Sequence, residues 1–114
     1  MLWIHLINDN QIDQIVEDSF QVPVFIFKHS RRTSISSIAL HRLESEWPFI
    51  RQNYKAYYLD VQKNGQISRM VAETFGVHHE SPQLLVILNG ECVYDASHLD
   101  IQARELEALR VPAA

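Results

Sequence analysis

Residues 22–43 read Val22-Pro23-Val24-Phe25-Ile26-Phe27-Lys28-His29-Ser30-Arg31-Arg32-Thr33-Ser34-Ile35-Ser36-Ser37-Ile38-Ala39-Leu40-His41-Arg42-Leu43. The unbroken run Val24 to Phe27 is β-branched and aromatic, as in a strand covered on both faces. Pro23 stands at its start, where a missing N–H costs least. The period then changes: Ile35, Ile38, Ala39 and Leu43 recur at helical spacing. Between the two periods lies a polar loop, from Lys28 to Ser34. A loop that leaves a central strand and opens a helix is where open α/β sheets place ligands. The helix N-terminus adds unpaired N–H groups and a partial positive charge.

Working outward, residues 3–7 form a short apolar run, read as a first strand. Asn8 with Gln11 resembles a capping pair that opens a helix carrying Ile12, Ile15 and Val16. On the other side, Pro48 limits the helix of the central stretch, and Trp47, Phe49 and Ile50 are expected to anchor an irregular turn. Residues 55–61 are a further strand. Asn64-Gly65 is a turn, and Ile67, Val71, Thr74 and Phe75 trace a helix face stopped by Gly76. Residues 83–88 and 91–96 flank Asn89-Gly90, the favoured central pair of a type I′ hairpin. A last helix is expected from about Ile101, with Ile101, Leu106 and Leu109 inward and Ser97 or Asp100 at its start. The order β-α-β-α-β-α-β-β-α predicts an α/β domain over residues 1–114, three helix-linked parallel strands and a closing hairpin. The first and last strands would be its edges.

Composition narrows the function. The chain has 114 residues, 46% of them hydrophobic, and a net charge of −4. That balance disfavours a nucleic-acid or anionic-membrane binder. Lys28, Arg31 and Arg32 are a local exception, better suited to a small anion. The lone cysteine, Cys92, can form neither an internal disulfide nor a Cys-rich zinc site. The first residues lack the pattern of a signal peptide, and no apolar run approaches the ~20 residues of a membrane span. A soluble cytoplasmic protein is the expectation.

The element order, with Ser81-Pro82 at the start of the fourth strand, resembles the thioredoxin fold, a five-stranded mixed sheet with helices on both faces. Lys28-His29-Ser30 before Ile35-Ser36, then His79-Glu80-Ser81-Pro82-Gln83 and Ala96-Ser97-His98, resemble more specifically the YtxJ family of monothiol bacilliredoxins. The resemblance implies thiol–disulfide exchange on bacillithiol mixed disulfides in the cytoplasm. It also implies a cis Ser81–Pro82 bond, and a Ser81 backbone that pairs with an extended partner chain or thiol ligand. Bacillithiol would be a substrate rather than a permanently bound cofactor. Partners would be protein mixed disulfides or a peptide segment. In the family pattern Lys-His-Ser is followed by two residues and then a cysteine; here the cysteine position is Thr33. A hydroxyl cannot form a mixed disulfide, so the site as written is expected to be redox-silent.

The residues expected at the site are Thr33 at the nucleophile position, and His29, Ser30, Arg31, Arg32, Ser34, Ser81 and Pro82 around a ligand. Each has a plainer reading. Thr33 suits a helix N-cap. Arg31 and Arg32 suit solvated loop positions, although the malate group of bacillithiol would give them a carboxylate to bind. His29 suits packing at a strand end as well as proton donation. Cys92 suits a small buried thiol away from the Thr33 end of the sheet. His78, His79 and Glu80 make a poor metal chelate, because neighbours in an extended segment point apart. A non-catalytic binding module for a peptide or small carboxylate is the alternative to a redox enzyme.

Overall fold

The computed structural model describes residues 1–48, 53–107 and 109. The elements are β1 (Trp3–His5), α1 (Asn10–Asp18), β2 (Val24–His29), α2 (Ser34–Ser45), β3 (Lys55–Asp60), α3 (Gly65–Phe75), β4 (Gln83–Leu88), β5 (Glu91–Ser97), a 3₁₀ turn (His98–Asp100) and α4 (Ala103–Leu106). They form one five-stranded sheet in the order β1-β3-β2-β4-β5. β1 and β2 flank β3 in parallel, while β4 runs antiparallel to both β2 and β5. The expected mixed sheet is therefore present, with β1 and β5 at its edges.

Alternation along the strands builds two cores. Phe25 and Phe27 point to one face, where Ala39 and Leu43 of α2 and Ala103 and Leu106 of α4 cover them. Val24 and Ile26 point to the other, against Ile12 and Ile15 of α1 and Ile67 and Val71 of α3. Every residue of β2 is buried; the unbroken apolar run implied this for Val24 to Phe27, whereas Lys28 and His29, expected in the polar loop, are also part of the strand. Burying each of its phenylalanines stabilises the fold by about 1.5–3 kcal/mol. Gly76 ends α3 in the left-handed conformation at φ 68°, and its N–H donates to Ala72. Asn89 and Gly90 both have positive φ, 51° and 81°, which is what a type I′ turn demands.

Several boundaries and faces differ from the sequence reading. β1 ends at His5, and β3 at Asp60. In α2 the buried stripe is Ser36, Ala39 and Leu43; Ile35 and Ile38 are 42% and 50% exposed. The serine sits on the inward face because it has polar work there, described below. Thr74 of α3 is exposed as well. The last helix starts at Ala103, and Ser97 precedes the 3₁₀ turn instead. At α1 the N-cap position is Asp9 rather than Asn8. Gln11 nevertheless reaches back, its Oε1 accepting from the N–H groups of Ile7 at 2.8 Å and Asn8 at 2.9 Å. Trp47 packs edge-on to Phe25, ring centres 4.7 Å apart; Phe49 and Ile50 lie outside the described residues.

Candidate functional site

The β2–β4 ladder ends with Lys28 opposite Gln83. The chain leaving β2 and the chain entering β4 therefore lie side by side at one end of the sheet. Thr33 is exposed there, at the N-cap position of α2, with φ −122° and ψ 134°. Its hydroxyl makes no capping bond, so the position of a cap is occupied without its hydrogen bond. The Thr33 carbonyl accepts from Ser37 at 3.4 Å, and its N–H donates to the Ser30 carbonyl at 3.4 Å.

The loop between β2 and α2 is held from within. Ser36 Oγ accepts the Ser30 N–H at 2.9 Å and lies 2.8 Å from His29 Nδ1. A buried hydroxyl thus satisfies a backbone donor and a ring nitrogen together. His29 and Ser30 are each only 5% exposed. The expectation that they face a ligand is corrected: both are internal supports. His29 lies between Phe27 and Tyr58, with ring centres 6.1 and 5.4 Å away. Burial, the largest influence, pushes its pKa down; Asp60 opposes the shift and Arg31 adds to it.

A second support comes from the chain after β3. Gln62 Nε2 donates to Ser30 Oγ at 2.6 Å, and Gln62 Oε1 accepts the Arg31 N–H at 3.1 Å. Asp60 Oδ2 pairs with Arg31 Nε at 2.9 Å, while Oδ1 accepts from the N–H groups of Gln62 and Lys63. Sequence reading missed Gln62 and Asp60, which stand about thirty positions from the loop with no local pattern to mark them.

The three cations grouped in the loop from sequence have three fates. Lys28 is completely buried, on the α3 side of the sheet. Arg31 is tied to Asp60. Arg32 is exposed and makes no hydrogen bond or ion pair with any described residue. The small-anion cluster read from sequence therefore reduces to Arg32, beside the exposed Ser34 and the N-terminus of α2.

Facing this loop, the Ser81–Pro82 peptide bond is cis. Pro82 is buried and its carbonyl accepts the His98 N–H at 2.9 Å. Ser81 is half-buried, and neither its Oγ nor its backbone pairs with any described residue. Gln83 braces the turn, with Nε2 donating to the His78 carbonyl at 2.9 Å. His79 is exposed but directs Nδ1 to Lys28 and Ser68, His78 is exposed as well, and Glu80 faces His98 at 3.4 Å. Among the described residues no group of three His, Cys, Asp or Glu could hold a metal ion.

Cys92 sits at the opposite end of the sheet, paired with Ile87, which in turn faces Val24. It is half-buried, donates to the Tyr94 carbonyl at 3.2 Å, and burial pushes its thiol pKa up. No described helix is long and apolar enough to cross a membrane.

Residues 4–106 match the family model of the monothiol bacilliredoxin BrxC. A solved thioredoxin-fold structure assigned as an oxidoreductase is 33% identical, with a TM-score of 0.78 over 91% of this chain and 89% of that one. Thioredoxin from Malassezia sympodialis superposes with a TM-score of 0.70 at 16% identity, covering 94% of this chain and 86% of its own. Fasciola hepatica thioredoxin gives 0.68 at 13% identity, over 90% and 91%. The two thioredoxins share the fold; the family match and the oxidoreductase support a thiol-redox function.

Proposed function

The chain belongs to the monothiol bacilliredoxin family, and from that premise we propose that it keeps the family's ligand groove while Thr33 removes the thiol step. The observation that carries this reading is the pairing of an exposed Thr33 at the start of α2 with an unpaired Ser81 edge across from it. An extended segment added along Ser81 would find free backbone groups there. Arg32 and the N–H groups of α2 would meet a carboxylate of the thiol ligand.

In the family's reaction a cysteine thiolate attacks the bacillithiol sulfur of a mixed disulfide. A new disulfide forms between that cysteine and bacillithiol, the old one breaks, and the client leaves as a thiolate that takes up a proton. The start of a helix lowers the pKa of a thiol placed there. Threonine supplies no sulfur for the exchange, and no described residue bonds its hydroxyl to act as a base. The parent protein is therefore redox-silent, and Thr33→Cys makes it a transfer enzyme; comparing the two in an exchange assay tests this. The proposed setting is the cytoplasm, where protein thiols are kept reduced.

A second reading is favoured by the free Arg32: the protein holds a peptide or small carboxylate without turning it over. Calorimetry of the parent protein with malate or an oxidised client peptide would support it, provided that the heat is lost in Arg32→Ala.

A further inference from the structure

Lys28 is completely buried, yet no carboxylate among the described residues contacts its ammonium. Its partners are the Ser68 carbonyl of α3 at 3.1 Å and His79 Nδ1 at 3.2 Å. Such a group is expensive to keep, because an ammonium taken out of water without a counter-ion loses most of its solvation. A methionine would fill the same space at less cost. The contacts are also not those of a core. Lys28 is the last β2 residue in the ladder with β4, and His79 belongs to the segment that leads from Gly76 into Ser81. The lysine thus ties the end of one strand to the approach of the next.

We propose that Lys28 is a positioning residue for the Ser81 edge: through His79 it sets the path of the chain entering Ser81, and its change of charge is felt there. This rests on the reading of Ser81 as a ligand edge. A protonated Lys28 has donors only, so His79 Nδ1 must accept and the ring proton stays on Nε2. Ser68 Oγ, 2.9 Å from the same nitrogen, shares that lone pair. Once Lys28 loses its proton it can accept instead, and the opposite ring tautomer becomes allowed. Burial brings the Lys28 pKa down to about 8, within reach of solution conditions. His79 itself is pushed down by burial first, then by Lys28, His78 and Arg69, with Glu80 opposing, so its ring is neutral while Lys28 titrates.

The experiment is a ¹³C-detected NMR titration of the parent protein from about pH 6 to about pH 10, following Lys28 Cε, the His79 ring carbons and Ser81 Cα. One shared step near pH 8 at all three positions is expected, with the Ser81 step absent in Lys28→Met and in the non-titrating Lys28→Arg. A Ser81 signal that stays flat while Lys28 titrates would overturn the proposal, as would a Ser81 step that survives both substitutions. So would a Lys28 that titrates at the ordinary lysine value. If either variant misfolds, the shared midpoint in the parent protein decides. Ligand binding does not enter the readout, so failure of the groove reading would show separately, in the exchange assay.

Discussion

Gln62 holds Ser30 and Arg31 at once: its amide nitrogen donates to the Ser30 hydroxyl at 2.6 Å and its carbonyl accepts the Arg31 N–H at 3.1 Å. The side chain stitches the loop after β3 to the loop that opens α2, and so fixes the approach to Thr33. Gln62→Ala removes both bonds and is expected to cost about 1–2 kcal/mol. Denaturant unfolding measures that cost, and hydrogen exchange should rise at Arg31 and Arg32 before it rises in the sheet. An unchanged exchange rate there would mean the loop is held by Ser36 and Asp60 alone.

Lys28→Met separates stability from site geometry. With the folded pKa near 8 and the ordinary value 10.5, the folded chain binds fewer protons than the unfolded chain between those limits. Unfolding free energy should therefore climb as pH rises through that window in the parent protein, and the climb should be missing in Lys28→Met. At neutral pH the variant should be as stable as the parent or about 1 kcal/mol more stable, since it exchanges a buried charge for an apolar side chain. Chemical denaturation at three pH values checks both statements.

How far the sequence announced all this depends on the residue. The run Val24 to Phe27 and the Asn89-Gly90 pair are local signals, and both elements formed where the residues placed them. The charge of Lys28 suggests a loop cation, but strand alternation carries it to the α3 face with Val24 and Ile26. His29 and Ser30, polar and beside a helix start, suggest ligand contacts. They are buried because Ser36, one position from the apolar Ile35, faces inward to bond them. That choice also leaves Ile35 and Ile38 outside the core. Asp60 and Gln62 could not be read at all, since only the pairing of β2 with β3 brings them to the loop.

Acid should act on Asp18. Its oxygen lies 2.7 Å from Lys55 Nζ, and that hydrogen bond, the largest influence, holds its pKa below the usual carboxylate value. A depressed acid stabilises the fold above its unfolded pKa and loses that contribution as pH falls through its folded pKa. Asp18→Asn is expected to cost about 0.5–1 kcal/mol at neutral pH, as for other partly exposed pairs. The gap between parent and variant should close as pH falls through the lowered folded pKa of Asp18. A gap that persists there would assign the cost to packing.

Cys92 should react slowly with thiol reagents. Its thiol is half-buried, bonded to the Tyr94 carbonyl and raised in pKa by burial, whereas only the thiolate attacks. Labelling in native buffer at neutral pH should run at least about tenfold slower than in denaturant. Native labelling at the unfolded rate would reopen Cys92 as a redox thiol.

The central claim, that Thr33 alone separates this chain from thiol exchange, is tested most directly by intact mass after mixing with a client protein carrying a bacillithiol mixed disulfide. The parent protein should keep its mass and leave the client modified. Thr33→Cys should gain one bacillithiol and release the client thiol. A Thr33→Cys protein that stays unmodified, though folded and with a titratable new thiol, would contradict the account and leave the binding-module reading in its place.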